Sequence, residues 1–310
     1  MIEDKIFSTI KKYNLINEND IVVCGVSGGP DSMCMLDNLR KIRESNKLSF
    51  KIVVCHLNHL IREEAILDEE YVINYCKKNN IKCYTKRIDV KQYANNKKQG
   101  TEEAGRMVRY DFFDEVLEKT NSNKICIAHN KNDKAETMIM NTLRGSGISG
   151  LKGIEAKRGK YIRPLIECER FEIEEYCEKN KLNPRIDKTN FDNTYTRNKI
   201  RNVVIPYIKK EFNPNIINTL ERLSQLVSEE EDYIEKQVDK ILTDKKFPVI
   251  LGGEHSVSIG AFRAFAKHYD KFSVLQLDAH SDMRSEYEGS THNHACVMAR
   301  AKEVATVAPV

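Results

Sequence analysis

Short apolar runs rich in Ile, Val and Cys alternate, through the first half of the chain, with longer segments whose apolar positions recur at helical spacing. The runs Ile21 to Gly25, Lys51 to Leu57, Lys82 to Ile88 and Lys124 to Ala128 read as strands, and the segments of about 31–46, 63–80, 102–120 and 131–143 as helices. Strand and helix in alternation make βαβ units, which build a parallel sheet covered by helices on both faces. Ligands in such sheets sit at the carboxyl ends of the strands, so chemistry is expected after Gly25, Leu57 and Ala128. From Tyr161 to Pro206 turns and charges mix, and a long amphipathic helix is predicted from about Asn215 to Leu242. Two further β-type runs follow, Phe247 to Leu251 and Phe272 to Leu277.

The expected class is therefore α/β: a Rossmann-like parallel sheet, a helical connector, and a second partial α/β segment. With 310 residues there is length for about two domains. The 50 Lys and Arg against 46 Asp and Glu leave a net charge of +4, too mild for bulk charge to drive nucleic-acid binding. Partners have to be argued from sites. No apolar stretch approaches the roughly 18 residues of a membrane helix, and the acidic start Ile2-Glu3-Asp4 does not suit a signal peptide. A cytoplasmic chain without membrane contact is expected. Nine cysteines, with no C-x-x-C, fit reduced thiols better than a disulfide framework or a zinc ribbon.

Composition changes near residue 240. Ala occurs six times before that point, at 65, 94, 104, 128, 135 and 156, and nine times in the remaining seventy-odd residues, whereas Asn nearly disappears. An ordinary second domain explains this on composition alone; the motifs change that judgement.

Ser27-Gly28-Gly29-Pro30-Asp31-Ser32 follows the first strand directly and opens a helix, so that backbone N–H groups and the helix N-terminus converge on one point suited to a phosphate. Gly28 and Gly29 allow close approach, Ser27 and Ser32 add hydroxyls, and Asp31 is placed to hold the Mg²⁺ of a nucleotide. A bare glycine turn with a helix cap is the plain alternative. There is no Walker A lysine and no G-x-G-x-x-G.

The six residues resemble the pyrophosphate loop (PP-loop) of the N-type ATP pyrophosphatases, and within that group the tRNA(Ile)-lysidine synthetases, over about residues 1–237. His56-Leu57-Asn58-His59-Leu60-Ile61-Arg62 is similar to the family's H-x-x-H-G-[LI]-R, with Leu60 in place of glycine. The resemblance sets Asn58 and His59 beside ATP; two satisfied strand-end histidines are the alternative. Thr101 to Tyr110 is similar to the arginine-rich E-E-A-x-R-x-x-R-Y helix and sets Arg106 and Arg109 one turn apart, suiting phosphates or a solvated helix face. Ala128 to Thr137 is similar to A-H-x-x-D-D-x-A-E-T, with Asn132 at the first Asp. In that family the acidic pair goes with the amine of free lysine, which here leaves Asp133 and Glu136. Arg144-Gly145-Ser146-Gly147 matches R-G-[ST]-G. Asp187, Asn190, Arg197 and Arg201 fall in the block D-x-[ST]-N…[YF]-x-R-N-x-I-R, the most family-specific piece. A thiolating relative would be expected to carry paired cysteines, absent here.

The resemblance implies ATP-dependent adenylation of the wobble cytidine (C34) of a tRNA(Ile) with a CAU anticodon. Ligation of free lysine follows, releasing AMP and pyrophosphate, with ATP and Mg²⁺ as cofactors. The family continues after the long helix into C-terminal tRNA-binding regions, which this sequence replaces. A homodimer stays open.

Leu251-Gly252-Gly253-Glu254-His255-Ser256 and Leu277-Asp278-Ala279-His280-Ser281-Asp282 carry different chemistry. Alternating carboxylate and imidazole suit Mn²⁺ or a similar ion. Together they resemble the agmatinase and arginase (ureohydrolase) family, where His255, Asp278, His280 and Asp282 match manganese ligands and His294 a site histidine. That family's later D-x-D segment, with two further ligands, is not in the sequence. The expected organisation is a PP-loop domain over 1–210, a connecting helix over 211–240 and a ureohydrolase-like fragment over 241–310. Besides the ligase, an Mn-dependent hydrolase of a guanidino compound and a non-catalytic chimeric fusion remain as alternatives.

Overall fold

The computed structural model describes residues 2–45, 47–60, 64–146, 148–185, 192–252, 255–285 and 294–304. Contacts group the chain into two compact units, 1–133 with 154–190, and 134–153 with 191–310.

The first unit runs α1 (Ile2–Lys12), β1 (Ile21–Gly25), α2 (Pro30–Glu44), β2 (Lys51–Asn58), α3 (Ala65–Lys78), β3 (Lys82–Arg87), α4 (Val90–Lys97), α5 (Thr101–Lys119) and β4 (Lys124–Cys126). It then takes in the first residues of α6 (Lys131–Leu143), the short β5 (Lys157–Arg158) and β6 (Tyr161–Ile162), and α7 (Arg170–Lys179). The strand order is β3-β2-β1-β4-β6-β5, parallel except for the edge hairpin β5–β6. Period-two alternation sorts the core. Val22, Cys24, Ile52 and Val54 face Met33, Leu36 and Leu39 of α2 and Ile173 of α7, while Val23, Val53 and Cys55 face Phe112, Phe113 and Val116 of α5. Each such side chain, nearly all under 7% exposed, contributes roughly 1.5–3 kcal/mol by leaving water. Helices thus cover both faces, as the alternation implied. The four expected strands appear within two residues of their expected ends; β4 is short, pairing with β1 over three residues and with β6 over two. Helices α1, α4 and α7 are additions to the sequence reading.

The second unit contains the rest of α6, a 3₁₀ turn Ile148–Lys152, α8 (Thr196–Lys199), a π-helical turn Ile200–Val204, α9 (Ile205–Glu211), α10 (Ile216–Thr243), α11 (Ser258–His268) and α12 (Val297–Val304). The π turn has a local cause. Pro206 has no N–H to give the carbonyl four residues back, and the Ile205 N–H instead donates to Ile200 O, five residues back. The predicted amphipathic helix is α10, whose Val238 and Leu242 pack on Ala261 and Ala264 of α11.

The runs Phe247 to Leu251 and Phe272 to Leu277 are not strands. They carry no ladder bonds among the described residues, and Phe247, Leu251, Leu275 and Leu277 are 85%, 95%, 85% and 91% exposed. An extended segment needs a neighbour to take its alternate N–H and C=O groups. Here no other strand is available, so the described part of 241–310 is helix and loop only and the expected partial α/β fragment does not form there. No helix of the described residues is long and apolar enough to cross a membrane.

Candidate nucleotide site

The loop after β1 leaves the sheet where the Val26 N–H makes its last bond, to Cys55 O at 2.9 Å. Gly28 then takes φ +92°, a conformation that side chains rarely adopt, which reverses the chain into α2. Ser32 organises the turn. Its Oγ accepts from the N–H groups of Ser27 and Gly28, both at 3.2 Å, and donates to Gly29 O at 3.0 Å. Two consecutive N–H groups therefore converge on one oxygen at a helix N-terminus, the arrangement an anion's oxygen uses. The loop is braced from behind by Arg185, whose N–H donates to Gly28 O at 2.9 Å and whose Nε meets Asp68 Oδ1 at 3.1 Å.

In front of the loop lies a cavity of about 410 Å³ at the carboxyl ends of β1, β2 and β4. It brings together Ser27, Asp31, Ser32, Asn58, His59 and Arg109 with Asp133, as the motifs implied, and adds His56, Asp68 and His129. Asp31 Oδ1 accepts from Asn130 Nδ2 at 2.8 Å. Asn130 and Asp133 cap α6 reciprocally, each backbone N–H bonded to the other's side chain at 3.0 Å. The amide of Asn130 is thereby fixed with its NH₂ on Asp31. Asn130 is fully buried and, like His56, Asp68 and His129, was missed by sequence reasoning, because an Asn before a helix reads as an ordinary cap.

The two histidines differ. His56 donates Nδ1–H to Val26 O at 2.8 Å, and burial lowers its pKa. His59 receives Arg109 Nη2 on Nε2 at 3.4 Å. Burial, then the Arg109 and His56 charges, push its pKa down to about 4, so it is neutral at pH 7. Asn58 is buried and spends its side chain on the chain itself, donating to Ala65 O and Glu69 Oε2 and accepting from Leu60 N. Leu60, at the glycine position of the motif, sits at φ +52°, which explains why that position favours glycine. Arg106 does not line the cavity; its guanidinium lies over the Tyr110 ring at 5.6 Å.

Glu136 is 1% exposed and lies in the second unit with two arginines on it: Arg197 Nε at 3.1 Å, and Arg201 through Nε at 2.7 Å and Nη2 at 2.8 Å. Arg144, Gly145 and Ser146 end α6; Gly145 at φ +73° is a helix stop. Gly147, Asp187 and Asn190 lie outside the described residues. In the C-terminal segment, ligand atoms of His255, Asp278 and Asp282 lie within 4.8 Å of one another. His280 is not in that group; its side chain is 83% exposed. The side chain of His294 is outside the described residues.

Comparison with known proteins gives the frame for these positions. The profile of the PP-loop domain (ATP_bind_3) matches residues 2–208. The chain belongs to the PP-loop family. The Arginase family profile matches residues 196–309 of this PP-loop chain. The tRNA(Ile)-lysidine synthase of Clostridium acetobutylicum is 52% identical over 238 residues, 76% of this chain and 51% of that protein. That of Clostridioides difficile is 47% identical over 241 residues, 77% and 52%. The PP-loop chain spans about half the length of the curated relatives it matches. Among solved structures, the U34-tRNA thiolase of Methanococcus maripaludis is similar in fold, with a TM-score of 0.58 at 16% identity, covering 73% of this chain and 78% of that one.

Proposed function

We propose that the chain carries the catalytic part of a tRNA(Ile)-lysidine synthase. The observation that carries this reading is the anion-ready loop Ser27 to Ser32, open to a nucleotide-sized cavity, in a chain 52% identical over 238 residues to such a synthase. ATP would set its phosphates at the Ser27 and Gly28 N–H groups and the two hydroxyls, displacing the Ser32 Oγ contact. Asp31, held by Asn130, is the carboxylate to take Mg²⁺, a hard cation that accepts such an oxygen and lowers the charge on the departing pyrophosphate. Attack of the C34 carbonyl oxygen on the α-phosphorus releases pyrophosphate, and the N–H groups at the loop stabilise the charge that develops there. Arg109, with neutral His59 behind it, adds a fixed cation on the cavity wall. The lysine amine then displaces AMP, with Asp133 and Glu136 as its carboxylates, and Arg106, Arg144, Arg197 and Arg201 serve the RNA. The domain plan of 1–210, 211–240 and 241–310 belongs to this reading.

The C-terminal segment offers one imidazole and two carboxylates, a donor set that suits a single divalent ion such as Mn²⁺. The binuclear centre that the ureohydrolase resemblance implies does not fit the described residues, because His280, though 3.6 Å from Asp278, is largely exposed and outside the three-residue group, and neither expected supporting strand is present there. No hydrolytic step is assigned to it.

The test is ATP-dependent incorporation of labelled lysine into a tRNA(Ile) with a CAU anticodon, with Asp31→Ala beside it. Incorporation by the native chain and its loss in the variant, together with pyrophosphate release, is the expected result. Undiminished ATP turnover in Asp31→Ala overturns the loop assignment.

A further inference from the structure

The Glu136 carboxylate, which the preceding reading gives to the lysine amine, is already engaged. Three bonds from Arg197 and Arg201 reach its two oxygens at 2.7–3.1 Å, and the carboxylate is 1% exposed. An ammonium group needs the same lone pairs, and charge-assisted bonds to a carboxylate withdrawn from water are among the strongest a protein makes. A free lysine therefore meets an occupied acceptor. The two arginines are not withdrawn to the same degree: their side chains are 33% and 21% exposed, although Arg197 Nη2 is itself buried. They stand one turn apart, Arg197 on α8 and Arg201 on the π turn. A forked cation held on a carboxylate has a natural competitor in a phosphodiester, whose paired oxygens match the fork.

We infer that Arg197 and Arg201 gate Glu136, holding it until RNA phosphates draw the guanidiniums away, so that lysine binds after the RNA. The inference rests on the lysidine reading and makes the two arginines positioning residues: they act on lysine through Glu136. Ordered addition of this kind admits the amine only once its acceptor base is in place.

Equilibrium dialysis of labelled lysine against the full chain tests it, with and without an anticodon stem–loop RNA bearing CAU. Saturating RNA is expected to tighten lysine binding about tenfold. The variant R197Q/R201Q is expected to bind lysine without RNA about tenfold more tightly than the native chain does, and to lose the RNA effect. Native chain with equal lysine affinity in bound RNA and in its absence overturns the gate, as does a folded variant that binds lysine more weakly. If RNA fails to bind, the variant arm decides. If the variant fails to fold by circular dichroism, the native arm decides. Incorporation of lysine into tRNA is read separately, so a working ligase with RNA-independent lysine binding removes the gate alone, and absent incorporation removes the parent reading.

Discussion

His59 should make the protein sensitive to acid in a defined window. Its pKa falls from 6.5 to about 4 on folding, because the ring is buried and faces the Arg109 guanidinium. Above about pH 6.5 the ring is neutral in both states and contributes no pH dependence. Between about pH 6.5 and about pH 4 the unfolded chain takes up a proton that the folded chain refuses, so stability falls as the pH falls, and levels off below about pH 4. Worked from these two values, the loss between about pH 7 and about pH 5 is at most about 2 kcal/mol, or roughly thirtyfold in the folded-to-unfolded ratio. The measurement is urea unfolding followed by circular dichroism at the two pH values, for the native chain and for His59→Asn. The variant should be weaker at neutral pH for want of the Arg109 contact, and yet lose about 2 kcal/mol less on acidification. His56, also lowered by burial, titrates in both proteins and cancels. Equal losses in the two proteins would refute the assignment of the low pKa to the buried ring.

Gly153→Ala should destabilise by about 3 kcal/mol, read as a lower urea midpoint: the residue is at φ +64°, and a Cβ there would lie 2.8 Å from Met138 Cγ and 3.1 Å from the Lys134 carbonyl oxygen. An unchanged midpoint would mean that the 148–153 turn readily moves. Limited chymotrypsin digestion should cut first at Leu251, Leu275 or Leu277, Phe247 being protected by Pro248 after it, and leave a fragment ending shortly after α10, because these side chains are exposed and their backbone is outside any ladder among the described residues. Initial cleavage within the sheet unit would contradict that picture.

The sheet was legible because its strands are buried on both faces and its helices are amphipathic, so that periodicity and burial report the same thing. Phe247 to Leu251 and Phe272 to Leu277 have the same local pattern and no partner strand, and pattern alone cannot distinguish the two cases. The cavity was legible where a motif sits at a strand end: Ser27, Asp31 and Ser32 of the loop, Asn58, His59 and Asp133 line it, and Arg109 reaches it from within α5, whereas Gly28, Gly29 and Pro30 do not line it. Arg106 does not, since neighbours one turn apart share a face only roughly. The engagement of Glu136 with arginines 61 and 65 residues away was out of reach, because the motif names the carboxylate without saying which cations fold back on it. Asn130 escaped for the opposite reason: its cap is common, and its bond to Asp31 spans 99 residues.

The two apolar runs that fail to become strands bear on how the chain behaves in quantity. Phe272 to Leu277 is an uncharged six-residue segment with high β-propensity, Phe247 to Leu251 is an uncharged segment interrupted by Pro248, and both lie outside any ladder among the described residues. Such a segment accepts the same segment of another molecule as its missing neighbour, and a net charge of +4 over 310 residues supplies little repulsion to prevent it. Soluble yield should therefore fall as expression rises, and Val249→Lys with Leu275→Lys should restore it without any change in the α/β sheet.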